Sequence, residues 1–222
     1  NDKIAYLANI DRCRDFGLVT VYGLNYDMCF EAALQSINRT CINGFENGVW
    51  SPMKLQTEQE VRYLKLHGSL DWVDDAEFGI CSLEYPAHPE ASEMIGQRPL
   101  VIFGTESKMT AKEPFLSQLH HFSHSLDNCN VLVIIGYSFG DKYMNELIQQ
   151  RFSTNTVMHV CIVVPTDIGE VLADCVPALH DSPRVTHLKL TARDALQNNH
   201  LYQAVGRRLT SAQEESPFGV DD

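Results

Sequence analysis

Between Val131 and Ile135 the chain offers five consecutive apolar residues and no polar face. A strand of that kind is buried on both sides, the condition met by a parallel sheet covered by helices. The run ends on Gly136-Tyr137-Ser138-Phe139-Gly140-Asp141. Two other apolar runs end in the same way. Leu18 to Tyr22 leads into Asn25-Tyr26-Asp27, and Tyr63 to Leu66 leads into His67-Gly68-Ser69. Apolar residues at helical spacing lie between the runs: Phe30, Ala33, Leu34 and Ile37, then Phe115, Leu119, Phe122 and Leu126. Strands alternating with helices place the chain in the α/β class, with helices on both faces of a parallel sheet. Ligands of such sheets bind beyond the carboxyl ends of the strands. The three polar strand ends are therefore expected to converge on one crevice.

The pattern predicts helices over 1–16, 27–38, 114–126, 141–152, 167–175 and 192–209, and strands over 18–22, 61–66, 99–103, 131–135, 157–164 and 185–190. Ile4, Leu7, Ala8 and Ile10 mark one face of the first helix. Asn43-Gly44 is expected to end the second, with loop over 41–58. Pro114 suits a first helical position, and Asp141 and Asp167 or Thr166 suit N-caps. The acidic stretch 74–98, interrupted by Pro86, Pro89 and the adjacent Pro99, reads as an insertion with a short hairpin. One domain is expected over 1–213, with a tail over 214–222.

Composition narrows the partners. A net charge of −12 disfavours broad contact with nucleic acid or an anionic membrane. No apolar run is long enough to cross a bilayer. The seven cysteines include no C-x-x-C pair, so neither a zinc ribbon nor a secreted disulfide framework is expected, and the compartment expected is the cytoplasm. Cys129, Cys161 and Cys175 sit on apolar segments and read as buried. His120 and His124 share a helix face, but no carboxylate stands at H-E-x-x-H spacing, and a solvated face is the expected reading. Trp72 and Phe122 are expected in the core.

The motifs Gly23-Leu24-Asn25-Tyr26-Asp27, Lys65-Leu66-His67-Gly68-Ser69 and Gly136-Tyr137-Ser138-Phe139-Gly140-Asp141 stand in one order over roughly 20–165. Together they resemble the T-x-N-Y-D, K-L-H-G-S and G-Y-S-F-x-D motifs of SIR2-like domains, relatives of sirtuins found in bacterial anti-phage systems. The resemblance implies a Rossmann-like fold, NAD as substrate, and cleavage of its nicotinamide–ribose bond. It implies work as a homo-oligomer or beside other defence-system subunits. Gly23 departs from the usual threonine. The four-cysteine zinc module of deacylating sirtuins is absent, which argues against deacylation and against a metal. The family's glycine-rich nucleotide loop is absent too: either it precedes Asn1, which is the expectation, or the domain is degenerate.

The residues suit that chemistry. Nicotinamide leaves as a neutral molecule, so no strong general acid is required. A carboxamide both donates and accepts, so Asn25 can orient a ribose hydroxyl or water. His67 can accept the proton of that water. These two are the catalytic candidates. By resemblance, Asp27 meets the nicotinamide carboxamide, and Gly136 and Ser138 approach the ribose. Asp141 joins this NAD-binding set, although a helix cap is an equally natural role for it and for Asp27. Asn145, one turn further on, can support Asp141. The rival readings are a SIR2-like module that holds NAD or ADP-ribose without cutting it and, further off, a protein deacylase.

Overall fold

The computed structural model describes residues 3–56, 60–83, 100–101 and 112–214. They divide into two compact units, 1–122 and 123–222. Of the predicted strand 99–103 only residues 100–101 are described, Val101 forming an isolated antiparallel bridge with Gly68; the insertion after residue 83 and nearly all of the tail lie outside the described residues.

The first unit opens with a 3-10 helix at Ala5–Phe16, where the sequence pattern predicts α-helix. Its winding has a packing reason. Leu7 and Ile10 are three residues apart and both pack on the cluster of Phe30, Leu34, Val61 and Tyr63. In a 3-10 helix residues three apart lie one above the other. Strand β1 (Thr20–Gly23), helix α1 (Cys29–Gln35), β2 (Cys41–Ile42) and β5 (Val61–Lys65) follow the α/β pattern. Their sheet runs β1-β5-β2, all parallel, with β5 buried along its whole length.

Helix α1 is shorter than the predicted 27–38, and Asn43-Gly44 does not end it. Asn38 does: it takes φ 55°, and Arg39 N–H bonds Leu34 carbonyl at 3.0 Å, a left-handed helix stop. Asn43-Gly44 instead forms the turn into β3, Asn43 Oδ1 accepting from Phe45 N–H. The expected loop 41–58 thus supplies β2, β3 (Phe45–Glu46), β4 (Val49–Trp50) and a 3-10 turn at Pro52–Gln56. The expected hairpin is β6 (Trp72–Asp75) with β7 (Gly79–Ser82), and it joins them in an antiparallel sheet ordered β3-β4-β7-β6. Phe45, Trp72, Ile80 and Phe115 form its core. Phe115 opens helix α2 (Phe115–Asp127), directly after Pro114.

The second unit holds a parallel sheet ordered β10-β9-β8: β8 (Val131–Ile135), β9 (His159–Val163) and β10 (Val185–Leu188). β9 is its fully buried centre. β8 is an outer strand in which only Ile134 is fully buried, contrary to the reading of its apolar run. Helix α3 (Lys142–Thr154) is capped by Asp141 as predicted. Helix α4 (Gly169–Cys175) starts later than expected, with Asp167 Oδ1 accepting from Gly169 N–H at 2.9 Å. The predicted helix 192–209 is two helices, α5 (Ala192–Gln197) and α6 (His200–Glu214), broken where Asn199 takes φ 60°. Cys161 is fully buried. Cys129 is half-buried, and Cys175 at the end of α4 is exposed, against expectation.

Candidate functional site

In the first unit, Gly23 at the end of β1 stands opposite Lys65 at the end of β5. Both strands point the same way, so the Asn25 and His67 loops leave from the same end of the sheet. Leu66 N–H bonds Gly23 carbonyl at 3.0 Å, and Leu70 N–H bonds Tyr26 carbonyl at 3.0 Å. The two loops are therefore hydrogen-bonded to each other along their length. Asn25 is exposed, and His67 and Asp27 are half-buried. One oxygen of the Asp27 carboxylate accepts Cys29 N–H at 2.9 Å, which fixes the start of α1. Gly68 takes φ 89°, and a Cβ there would lie 2.2 Å from the Leu100 carbonyl. Only glycine fits beside His67.

Beneath these loops lies a buried polar network that sequence reasoning did not single out. Lys65, 3% exposed, bonds Glu31 Oε1, the Asp27 carbonyl and Ser69 Oγ, each at 2.7 Å. Ser69 Oγ in turn donates to Asp71, which also accepts from Ser82 Oγ on β7. A sequence signal existed. Lys65 closes an otherwise largely apolar strand, and Glu31 sits on the apolar side of α1 with Phe30 and Leu34.

In the second unit, the loop after β8 carries Gly136, Ser138 and Asp141. Gly136 takes φ 63°, and its N–H bonds Val163 carbonyl at 3.0 Å. The space where its Cβ would stand is open: beyond its chain neighbours, no described residue has an atom within 4 Å. Gly136 and Ser138 are exposed while Phe139 between Ser138 and Gly140 is buried. That alternation is held by Asn145. Its Nδ2 donates to the Phe139 carbonyl at 2.7 Å, and its Oδ1 accepts from the Tyr137 hydroxyl at 2.8 Å. Phe139 thereby keeps the left-handed φ of 58° that a bulky residue resists. Asn145 braces Phe139 rather than Asp141. Asp141 is buried, and Oδ1 accepts from Tyr143 and Met144 N–H. The structure thus gives Asp141 a capping role and leaves Gly136 and Ser138 facing outward.

The histidines of α2 separate. His120 and His124 are exposed, and His124 lies 3.5 Å from Asp127. His121 instead bonds the Tyr22 hydroxyl at 2.6 Å. Trp72 and Phe122 are in the core. Among the described residues no three His, Cys, Asp or Glu side chains gather as a metal site. Burial pushes the thiols of Cys129 and Cys161 up to about 11.

A family model, described as SIR2-like domain, matches residues 19–174, more than half of the chain and all three motif loops. The chain belongs to the SIR2-like domain family. A solved structure described as "Structural Basis for the Mechanism and Regulation of Sir2 Enzymes" is similar over 91% of this chain and 71% of that chain, with a TM-score of 0.50 and 13% sequence identity. At that identity the likeness is one of fold. No curated protein sequence matches the chain. Among the described residues no helix is long and apolar enough to cross a membrane.

NAD can be tested against this SIR2-like domain from its own residues. An exposed carboxamide and a partly exposed imidazole stand on two bonded loops in the first unit. In the second, Gly136 offers an outward backbone surface with open space above it. Taken unit by unit, each set presents groups that suit hydroxyl and amide partners.

Proposed function

We propose that this SIR2-like domain is an NAD hydrolase, converting NAD and water to nicotinamide and ADP-ribose. The observation that carries the proposal is the pairing of the Asn25 and His67 loops at the ends of adjacent in-register strands. Asn25 orients the water or a ribose hydroxyl through its carboxamide. His67 takes the proton released by that water. Asp27, its carboxylate already anchored by Cys29 N–H, meets the nicotinamide carboxamide. Gly136 and Ser138 contact the ribose, and Asp141 supports them through its cap on α3. The anti-phage role and an oligomeric or multi-subunit state belong to this proposal through the family resemblance.

A second reading is a module that binds NAD or ADP-ribose without cutting it, in which the Asp27 carboxylate serves the start of α1 and Asp141 the start of α3. The test is to incubate the full-length protein with NAD, with and without an acylated peptide, and to separate products by chromatography. The hydrolase releases nicotinamide and ADP-ribose without peptide. Binding without consumption gives the lead to the module, and release only with peptide gives it to a deacylase.

A further inference from the structure

We infer that Lys65 is the positioning residue of this site, its ammonium setting the separation between the Asn25 loop and the His67 loop. The inference rests on the NAD-hydrolase reading for its consequence in catalysis, but its structural half stands alone. An ammonium has three N–H donors. Lys65 Nζ meets three oxygens at 2.7 Å, each from a different segment: the Asp27 carbonyl, Glu31 Oε1 on α1 and Ser69 Oγ. Met28 Sδ makes a fourth contact at 3.0 Å. Asp27 lies two residues beyond Asn25, and Ser69 two residues beyond His67. One buried cation therefore grips both loops at equivalent points.

Stability alone is a weak reason for a buried cation. β5 is elsewhere closed by Val61, Tyr63 and Leu64, all buried. A buried ion pair is commonly matched or exceeded in stability by apolar residues of similar volume, whereas removing one partner leaves a costly lone charge. What apolar residues cannot reproduce is the fixed distance between the Asp27 carbonyl and the Ser69 hydroxyl. The network extends this hold to the β6–β7 hairpin, because Ser69 donates to Asp71 and Ser82 on β7 donates to the same carboxylate.

The experiment compares wild type, Lys65→Met, and the double variant Lys65→Met with Glu31→Met, in the full-length protein. Lys65→Met alone should lower the thermal midpoint, since Glu31 loses its counterion. The double variant should return the midpoint to near the wild-type value. At that restored stability, kcat for nicotinamide release should remain roughly 10-fold or more below wild type, with KM for NAD nearly unchanged, as expected when reacting groups are misplaced. Amide exchange of Leu70, whose N–H joins the two loops through Tyr26, should be accelerated in the double variant. A double variant with wild-type midpoint, wild-type kcat and wild-type Leu70 exchange overturns the inference. Should the double variant not fold, Ser69→Ala removes one of the three bonds. It should speed Leu70 exchange and lower kcat, and unchanged values of both overturn the inference. If the wild type releases no nicotinamide, the hydrolase reading falls, and Leu70 exchange still decides the role of Lys65.

Discussion

Gln118 on α2 is fully buried, yet among the described residues neither its side-chain nitrogen nor its side-chain oxygen has a hydrogen-bond partner. A buried polar group left unpaired costs about 1–3 kcal/mol. Gln118→Met keeps the length and removes both polar atoms. The expected outcome is a protein more stable by about 1 kcal/mol, read as a higher urea midpoint at unchanged slope. A lower midpoint would mean that the amide contributes to folding. The residue scale also separates what the sequence discloses from what it hides. Asn25 and His67 were legible because short motifs placed them just after apolar strands. Lys65 and Glu31 stood beside them, but their pairing depends on α1 lying against the end of β5, and no local pattern encodes that. His121 is similar: it is one of three histidines on α2, and only its approach to Tyr22 sets it apart.

At the scale of elements, the loop after β8 and the helix it feeds make one structural unit. Asp141 and Asn145 act on it differently. Asp141 holds the first turn of α3, so Asp141→Ala should cost about 0.5–2 kcal/mol of stability, as loss of an N-cap does. Asn145→Ala should release the Phe139 carbonyl and relax the positive φ at Phe139. Its expected effect is weaker NAD binding through misplaced Gly136 and Ser138, measured by titration calorimetry on folded protein. Unchanged affinity would show that the brace has no bearing on the ligand. β8, α3 and its cap were legible because a five-residue apolar run and a following acid are strong local signals. The two-residue strands β2, β3 and β4 were not. Strands that short show no alternation, and their pairing is decided by distant partners. The 3-10 winding of the first helix was hidden for a related reason. Its apolar spacing fits either helix until the surface it packs on is known.

At the scale of the whole molecule, membership in the SIR2-like family and a net charge of −12 frame what the chain does. None of the seven cysteines is in a disulfide, and no three potential ligands gather among the described residues. Purified protein should therefore carry no stoichiometric zinc by elemental analysis. About one zinc per chain would reopen the deacylase reading, because structural zinc needs four ligands held together. The hydrolase account stands most directly on Asn25 and His67. Nicotinamide release from NAD should be measured for the full-length wild type, Asn25→Ala and His67→Ala, each verified as folded by circular dichroism. Loss of a positioned base or of the group that orients its water is worth roughly 10²–10⁴-fold in rate. The account predicts losses of that size in both variants, with His120→Ala and His124→Ala close to wild type. Wild-type turnover in both Asn25→Ala and His67→Ala would contradict it.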